Sequence, residues 1–282
     1  MLTIHFDTDI PHFLKVVSPT LSEDPTIHSL ILSLADRTHA LGKNAALLVR
    51  GHSPDGKLLI AGLQTDAFRP MVLSKASKAI AAKFAAELSQ QTASLPGATG
   101  PLPTIDAFAS EWADSKQCKT KLITNLRLFA LETVSPPRKP SGDWRVAVPS
   151  DEDLIMQWNL EFIAEAVPHD PVPSLEELRQ RLRDGISRNF YYLWEDHERV
   201  SLVGSTRETD ARRWIAPVYT PKNFRGHGYA SALVAAVSQQ FVNLGKKCIL
   251  FTDLANSTSN SIYQKVGYRP LADFKHIEFV RS

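Results

Sequence analysis

The stretch that most limits what this chain can fold into is residues 214–268, which read as strand, glycine-bearing loop, helix, strand and short helix in succession. The first strand covers 214–219, the loop 220–228 and the second strand 248–252, and Gly267 ends the last helix. At the centre stands Arg225-Gly226-His227-Gly228-Tyr229-Ala230, with two glycines between a strand end and a helix start. Such a turn leaves several amide N–H groups unpaired and aimed outwards, and the helix dipole adds partial positive charge. The site therefore suits a phosphate-bearing ligand. The helix over 230–244 puts Ala230, Leu233, Val234, Val237 and Phe241 on one core-facing stripe, with Gly245 to close it. Cys248-Ile249-Leu250-Phe251 is apolar throughout, as in a strand covered on both faces.

Arg225, Gly228 and Ala230 fill in register a pattern of Arg or Gln, two residues, Gly, one residue, then Gly or Ala. This resembles the pyrophosphate loop of the GCN5-related N-acetyltransferases (GNAT). Downstream, Asn256 lies seven residues before Tyr263, and Gly267-Tyr268 follows four residues after that tyrosine, which is similar to the family's second segment. Upstream, Val218-Tyr219-Thr220-Pro221 looks like the strand end where backbone groups of the family meet the pantetheine arm. The resemblance implies an α/β fold with a central, mostly antiparallel mixed sheet flanked by helices.

Composition allows an enzyme without choosing one. A chain of 282 residues is comfortable for two domains, each able to bury a core. With 32 basic and 30 acidic residues the net charge is only +2, so no broad field draws in nucleic acid or an anionic membrane. The opening residues, Met1 to Asp7, lack the basic and apolar segments of a signal peptide, and no apolar run approaches membrane-spanning length. The expected location is cytoplasmic. The two cysteines, Cys118 and Cys248, form neither a metal-ligand spacing nor a disulfide framework.

In the first half a strand is expected over 3–6 and a helix over 27–41. Two antiparallel strands follow over 45–49 and 58–63, around Gly51-His52-Ser53-Pro54-Asp55-Gly56, a hairpin-turn composition. An extended piece over 67–73 leads into an Ala-rich helix over 75–90, and residues 95–103 read as a broken, turn-rich stretch. A helix carrying Phe108 and Trp112 and a strand over 121–134 complete this half. The order hairpin, third strand, helix recurs in the second half, with Leu59-Ile60-Ala61-Gly62 placed like Leu202-Val203-Gly204, which indicates a distant internal duplication. Residues 69–75 of the first copy contain no glycine, so it is expected to bind no coenzyme. Two GNAT-like domains in tandem are therefore expected: a degenerate one over 1–134, a Pro-rich linker over 135–142, and the acetyltransferase domain over 143–282.

The second half opens with a strand over 144–148 and a helix start at Ser150 with Asp153; Pro168 ends that helix, and Ser174 caps another that ends at Gly185. Glu161, Glu165, His169, Asp170, Glu176 and Glu177 cluster around the break, either as solvated cap acids or as an acidic rim for a cationic amine. Strands over 190–194 and 200–205 flank a polar hairpin turn. Pro217 cannot donate a ladder hydrogen bond, so the strand over 212–219 should lose pairing on one side.

From the resemblance, acetyl-CoA is the cosubstrate and a primary amine, on a small molecule or a peptide, the acceptor, with no metal. Backbone near Val218, Tyr219 and Thr220 holds the thioester end, the amides of Arg225, Gly226, His227, Gly228, Tyr229 and Ala230 hold the pyrophosphate, and Asn256 borders the arm. Tyr263 protonates the departing thiolate; a packed helix tyrosine is the other reading of that residue. Glu208, Asp210 or a water chain would serve as general base. The alternative function is a non-catalytic acetyl-CoA or CoA sensor that keeps the loop and lacks turnover.

Overall fold

The computed structural model describes residues 2–166, 174–205, 207–209 and 211–281. Pro168, His169, Asp170 and Asp210 lie outside the described residues. In order, the first half runs β1 (Thr3–Phe6), α1 (Ile10–Leu21), α2 (Ser29–Ala40), β2 (Leu47–His52), β3 (Leu58–Gln64), β4 (Met71–Leu73), α3 (Lys78–Gln91), β5 (Gly97–Pro101), α4 (Leu102–Lys116) and β6 (Cys118–Leu131). The second runs β7 (Asp143–Val146), α5 (Glu152–Ala166), α6 (Leu175–Ser187), β8 (Tyr191–Asp196), β9 (Glu198–Gly204), β10 (Arg207–Thr209), β11 (Arg212–Trp214), β12 (Val218–Tyr219), α7 (Tyr229–Asn243), β13 (Lys247–Asp253), α8 (Ser257–Val266) and β14 (Arg269–Arg281). With β10 to β12 taken as one interrupted strand, the second series repeats the first element by element. Among the described residues no helix is long and apolar enough to cross a membrane.

Two compact units result. One comprises Met1–Leu128, Phe251–Ala255 and Leu271–Ser282; the other comprises Phe129–Leu250 and Asn256–Pro270. The chain's last strand thus serves the first unit, where β14 pairs antiparallel with β5 from Phe274↔Pro101 to Glu278↔Gly97. Within this unit β1, β2, β3 and β4 are antiparallel neighbours, and β4 runs parallel to β5. Apolar faces of α1 and α2 bury Phe13, Val17 and Ile31 against Leu48, Ala61 and Leu63, and α3 and α4 bury Phe84, Phe108 and Trp112 around Val49, Ile60 and Ile277.

One element of this half was not expected, and one expectation needs correction. Residues 10–21 form a helix that their sequence did not announce, started by Asp9, whose carboxylate accepts the His12 N–H at 2.8 Å. Residues 97–101 are a buried strand and not a turn. Gly97 is there because the Ile277 carbonyl oxygen lies 2.2 Å from where a Cβ would stand, and Gly100 because the Leu73 oxygen lies 2.7 Å from its own. Close backbone approach and turn formation select the same residue, which is why the composition misleads.

The start of α3 shows what replaces a glycine loop. The Lys75 N–H donates to His28 Nε2 (3.2 Å), the Ala76 N–H to Thr104 Oγ1 (2.9 Å) and the Ile80 N–H to Ser77 Oγ (3.3 Å). Side chains have taken three of the amides around this turn. His28 is buried, and burial holds its imidazole below the ordinary value, so it stays neutral with Nδ1 against the Leu21 carbonyl at 2.9 Å. Above about pH 6.5 both folded and unfolded states carry neutral His28; below it the unfolded chain takes up a proton that the folded one refuses. Unfolding free energy is therefore expected to fall between pH 7.5 and 5.5, and denaturant titrations should show this slope flattened in His28→Gln.

In the second unit β12, β9, β8 and β7 make a four-stranded antiparallel sheet, and β13 carries β11 as a parallel neighbour. Helices α5 and α6 cover one set of apolar residues, among them Trp158, Leu182, Leu193 and Tyr219. Helices α7 and α8 cover another, with Leu233, Val237, Phe241 and Tyr263 against Phe129, Trp194 and Val203. Ser174 caps α6 through the Glu177 N–H as expected (3.2 Å). The start of α5 is different: a short 3-10 helix, Pro149–Asp151, precedes it, and the Asp151 carboxylate accepts the Val148 N–H at 2.9 Å. Helix α6 also continues past Gly185, a residue kept small by the Tyr191 ring, 2.6 Å from where a Cβ would stand.

Candidate active site

The interrupted strand makes the site. The Ile215 N–H donates to the Ile249 carbonyl at 2.9 Å, while the next residue, Ala216, donates to Gly204 at 2.8 Å. Within two residues the chain leaves its parallel partner β13 and joins its antiparallel partner β9. The cis bond between Ala216 and Pro217 lies at this change of partner, and Gly204 admits it, since a Cβ there would stand 2.6 Å from the Pro217 ring. Gly204 is a site-forming residue that the sequence did not single out for this reason. After the switch, β12 is the outermost strand of its sheet, and the outer edge of Val218 and Tyr219 offers backbone groups to an extended ligand. Thr220 closes the strand with its hydroxyl 2.8 Å from Ser201 Oγ.

The glycine loop follows. Gly226 and Gly228 have φ of +85° and +87°, the left-handed region, and a Cβ on either would meet no heavy atom within 4 Å. The loop is thus open on its outer side as well as glycine-dependent. Among the described residues no protein group accepts from the amides of Gly226, His227, Gly228, Tyr229 or Ala230, and Gly228 begins α7 without a side-chain cap. A row of unspent donors at the start of a fifteen-residue helix fits a diphosphate. Arg225 differs from the expectation. Its amide donates to the Lys222 carbonyl (3.4 Å), because a 3-10 turn over Lys222–Phe224 reaches it, and its guanidinium binds Thr220 O and Glu165, each at 2.8 Å.

The side chains next in line are structural. Tyr229 is buried and donates its hydroxyl to Asp196 Oδ2 at 2.5 Å, and that bond raises the phenol's pKa. Ser141 donates to the same oxygen. Asp196, in the β8–β9 hairpin, thereby fixes the first residue of α7. The exposed His227 ring stacks on Tyr229, with centroids 5.6 Å apart.

Helix α8 carries the second segment. Asn256 is its N-cap: Oδ1 accepts the Ser259 N–H at 2.9 Å, so the side-chain carbonyl is committed to the helix. Tyr263 sits one core cluster with Tyr229, and Val218 and Phe224 pack against that cluster. Its ring lies 6.4 Å from Phe129 and 5.9 Å from Tyr268. Burial holds its hydroxyl well above the ordinary phenol range, so it is protonated at any working pH. Glu208, one of the candidate bases, is bound to Arg213, at 2.5 Å, and to Arg188, at 3.1 Å, with Lys246 at 3.9 Å.

Beside the loop a groove of about 680 Å³ runs between α5 and the end of β12, lined by Gln157, Trp158, Glu161, Glu165, Tyr219 and Lys222 among others. Two acids of the expected cluster are in it. Glu165 is neutralised by Arg225, which lowers its pKa. Glu161 takes a hydrogen bond from Gln157 at 2.9 Å. Burial, and then the neighbouring Glu161, push the Tyr219 phenol up to about 12.

Residues 197–277 match the family model described as FR47-like protein. A GNAT-family acetyltransferase from Colwellia psychrerythraea superposes with a TM-score of 0.62 at 13% identity, covering 99% of this chain and 100% of that one. A GCN5-related N-acetyltransferase from Sphaerobacter thermophilus gives 0.65 at 15%, covering 100% and 96%. The fold is that of the GNAT acetyltransferases. A tandem GNAT protein from the clavulanic acid biosynthesis pathway also matches over the full length, with a TM-score of 0.51 at 11% identity and coverage of 100% and 98%. The repeated element order is thus that of two GNAT folds in one chain. No curated protein sequence matches it significantly.

Proposed function

We propose that the second GNAT unit transfers an acetyl group from acetyl-CoA to a primary amine by direct transfer in a ternary complex. The observation that carries this reading is the run of unspent amides from Gly226 to Ala230 at the start of α7, beside the edge strand Val218–Tyr219. When bound, the coenzyme would supply an acyl thioester. The amides from Gly226 to Ala230 would hold its diphosphate, the β12 edge its arm, and the NH₂ group of Asn256 would face the same arm. The groove between α5 and β12 would present the amine, with Glu161 meeting its charge. Tyr263 would give its proton to the departing sulfur. Positioning and preorganised donors supply most of the effect in such a reaction.

The setting we propose is cytoplasmic, in keeping with two free cysteines, one of them the buried Cys248. The first unit is read as a non-binding copy, since it has no glycine at this turn and His28, Thr104 and Ser77 occupy three of the amides around the start of α3. Calorimetry with CoA is accordingly expected to give one site per chain, and thiol should accumulate when acetyl-CoA is mixed with the right member of an amine panel. Two equivalent sites would refute the assignment of the units. One site with no thiol release from any amine would favour the sensor.

A further inference from the structure

A guanidinium next to a diphosphate loop would ordinarily be taken as a direct phosphate ligand, yet Arg225 is engaged elsewhere. Its Nε donates to the Thr220 carbonyl at 2.8 Å, tying the end of β12 to the residue before Gly226. Its two terminal nitrogens donate one each to the two Glu165 oxygens, both at 2.8 Å. The guanidinium carbon also lies 5.8 Å from the centre of the Tyr219 ring. Three of five N–H groups are thereby committed, in a planar fork that fixes orientation as well as distance. Glu165 belongs to α5 and lines the groove. Each partner shifts the other towards its charged form, with smaller contributions from Lys222 on Glu165 and from Tyr219 on Arg225.

We infer that Glu165 is a positioning residue for the coenzyme: from the wall of the groove it holds the glycine loop in its binding geometry through Arg225. This rests on the proposed function. Single exposed ion pairs contribute little to folding, so the pair's consequence lies in where the loop stands. Gly226 and Gly228 have no neighbours on their outer side to hold them, and the backbone before them is anchored at Thr220 and at Glu165 through this one side chain. Without Glu165 the fork loses the partner that sets its plane, and the amides no longer converge.

The test is CoA binding by calorimetry on the full chain, together with steady-state kinetics. Glu165→Gln keeps the shape of the side chain and removes its charge. It is expected to raise the Kd for CoA and the KM for acetyl-CoA about fivefold, at the low end of ordinary coupling between sites, with kcat changed less than twofold and the melting temperature of the free protein unchanged. Arg225→Lys keeps the charge and loses the fork. It should weaken CoA to a similar degree, and the double variant should be no worse than the weaker single one, because both remove one interaction. Additive losses, or a Glu165→Gln protein that binds CoA as wild type does, would overturn the inference alone. A wild-type chain that binds no CoA would overturn the proposed function and this inference with it.

Discussion

Tyr263→Phe is expected to lower turnover by about 10²-fold while leaving the fold and the affinity for acetyl-CoA in place. Among the described residues the hydroxyl has no hydrogen-bond partner, whereas the ring packs on Phe129 and Tyr268. Deleting the oxygen alone therefore removes no protein hydrogen bond and leaves the ring's packing in place, so the substitution separates chemistry from packing. Burial makes this phenol a weak acid, but a thiolate formed in the same apolar surroundings is a correspondingly stronger base. The loss should appear in kcat and kcat/KM together, since the proton moves only as the tetrahedral intermediate collapses. A variant that turns over normally with its proper acceptor would show that Tyr263 is a packing residue and that the sulfur takes its proton from water.

Gly228→Val is expected to weaken acetyl-CoA binding at least tenfold, about 1.4 kcal/mol or more. Two effects contribute, and the structure allows them to be separated. At φ +87° a β-branched residue is strained whatever surrounds it, and its side chain would enter open space beside a loop whose amides have no protein acceptor among the described residues. Gly245, at the other end of α7, has φ +73° and equally empty surroundings. Gly245→Val thus carries the same kind of backbone strain without touching the loop. Denaturant unfolding should register comparable losses in the two variants, and calorimetry should register a large affinity loss only in Gly228→Val. Equal affinities would remove the diphosphate from this loop.

Much of the second unit was legible from residue order alone. The glycine pair, the apolar stripe from Leu233 to Phe241, and the glycines that close α7 and α8 act through neighbours a few residues away. The break at Pro217 was readable too, because a missing N–H is a property of one residue. What Pro217 does with that break was not. The transfer from Ile249 to Gly204 needs two strands that are remote in sequence, and only their approach explains why residue 204 has no side chain.

The sequence by itself determined most of the order of elements, part of their repetition, and a glycine loop at the start of a helix, because dihedral preference, capping and periodicity are local. The tertiary structure decided the partners. It bound the Arg225 guanidinium to Glu165, sixty residues away. It bound Tyr229 to Asp196 and surrounded Glu208 with cations. It also turned Gly97 and Gly100 into strand residues and placed Leu271–Ser282 with the first unit. The physical reason is the same in each case: a charged or hydroxyl group, or an unpaired strand edge, states that it needs a partner, and only the folded backbone brings one within about 3 Å.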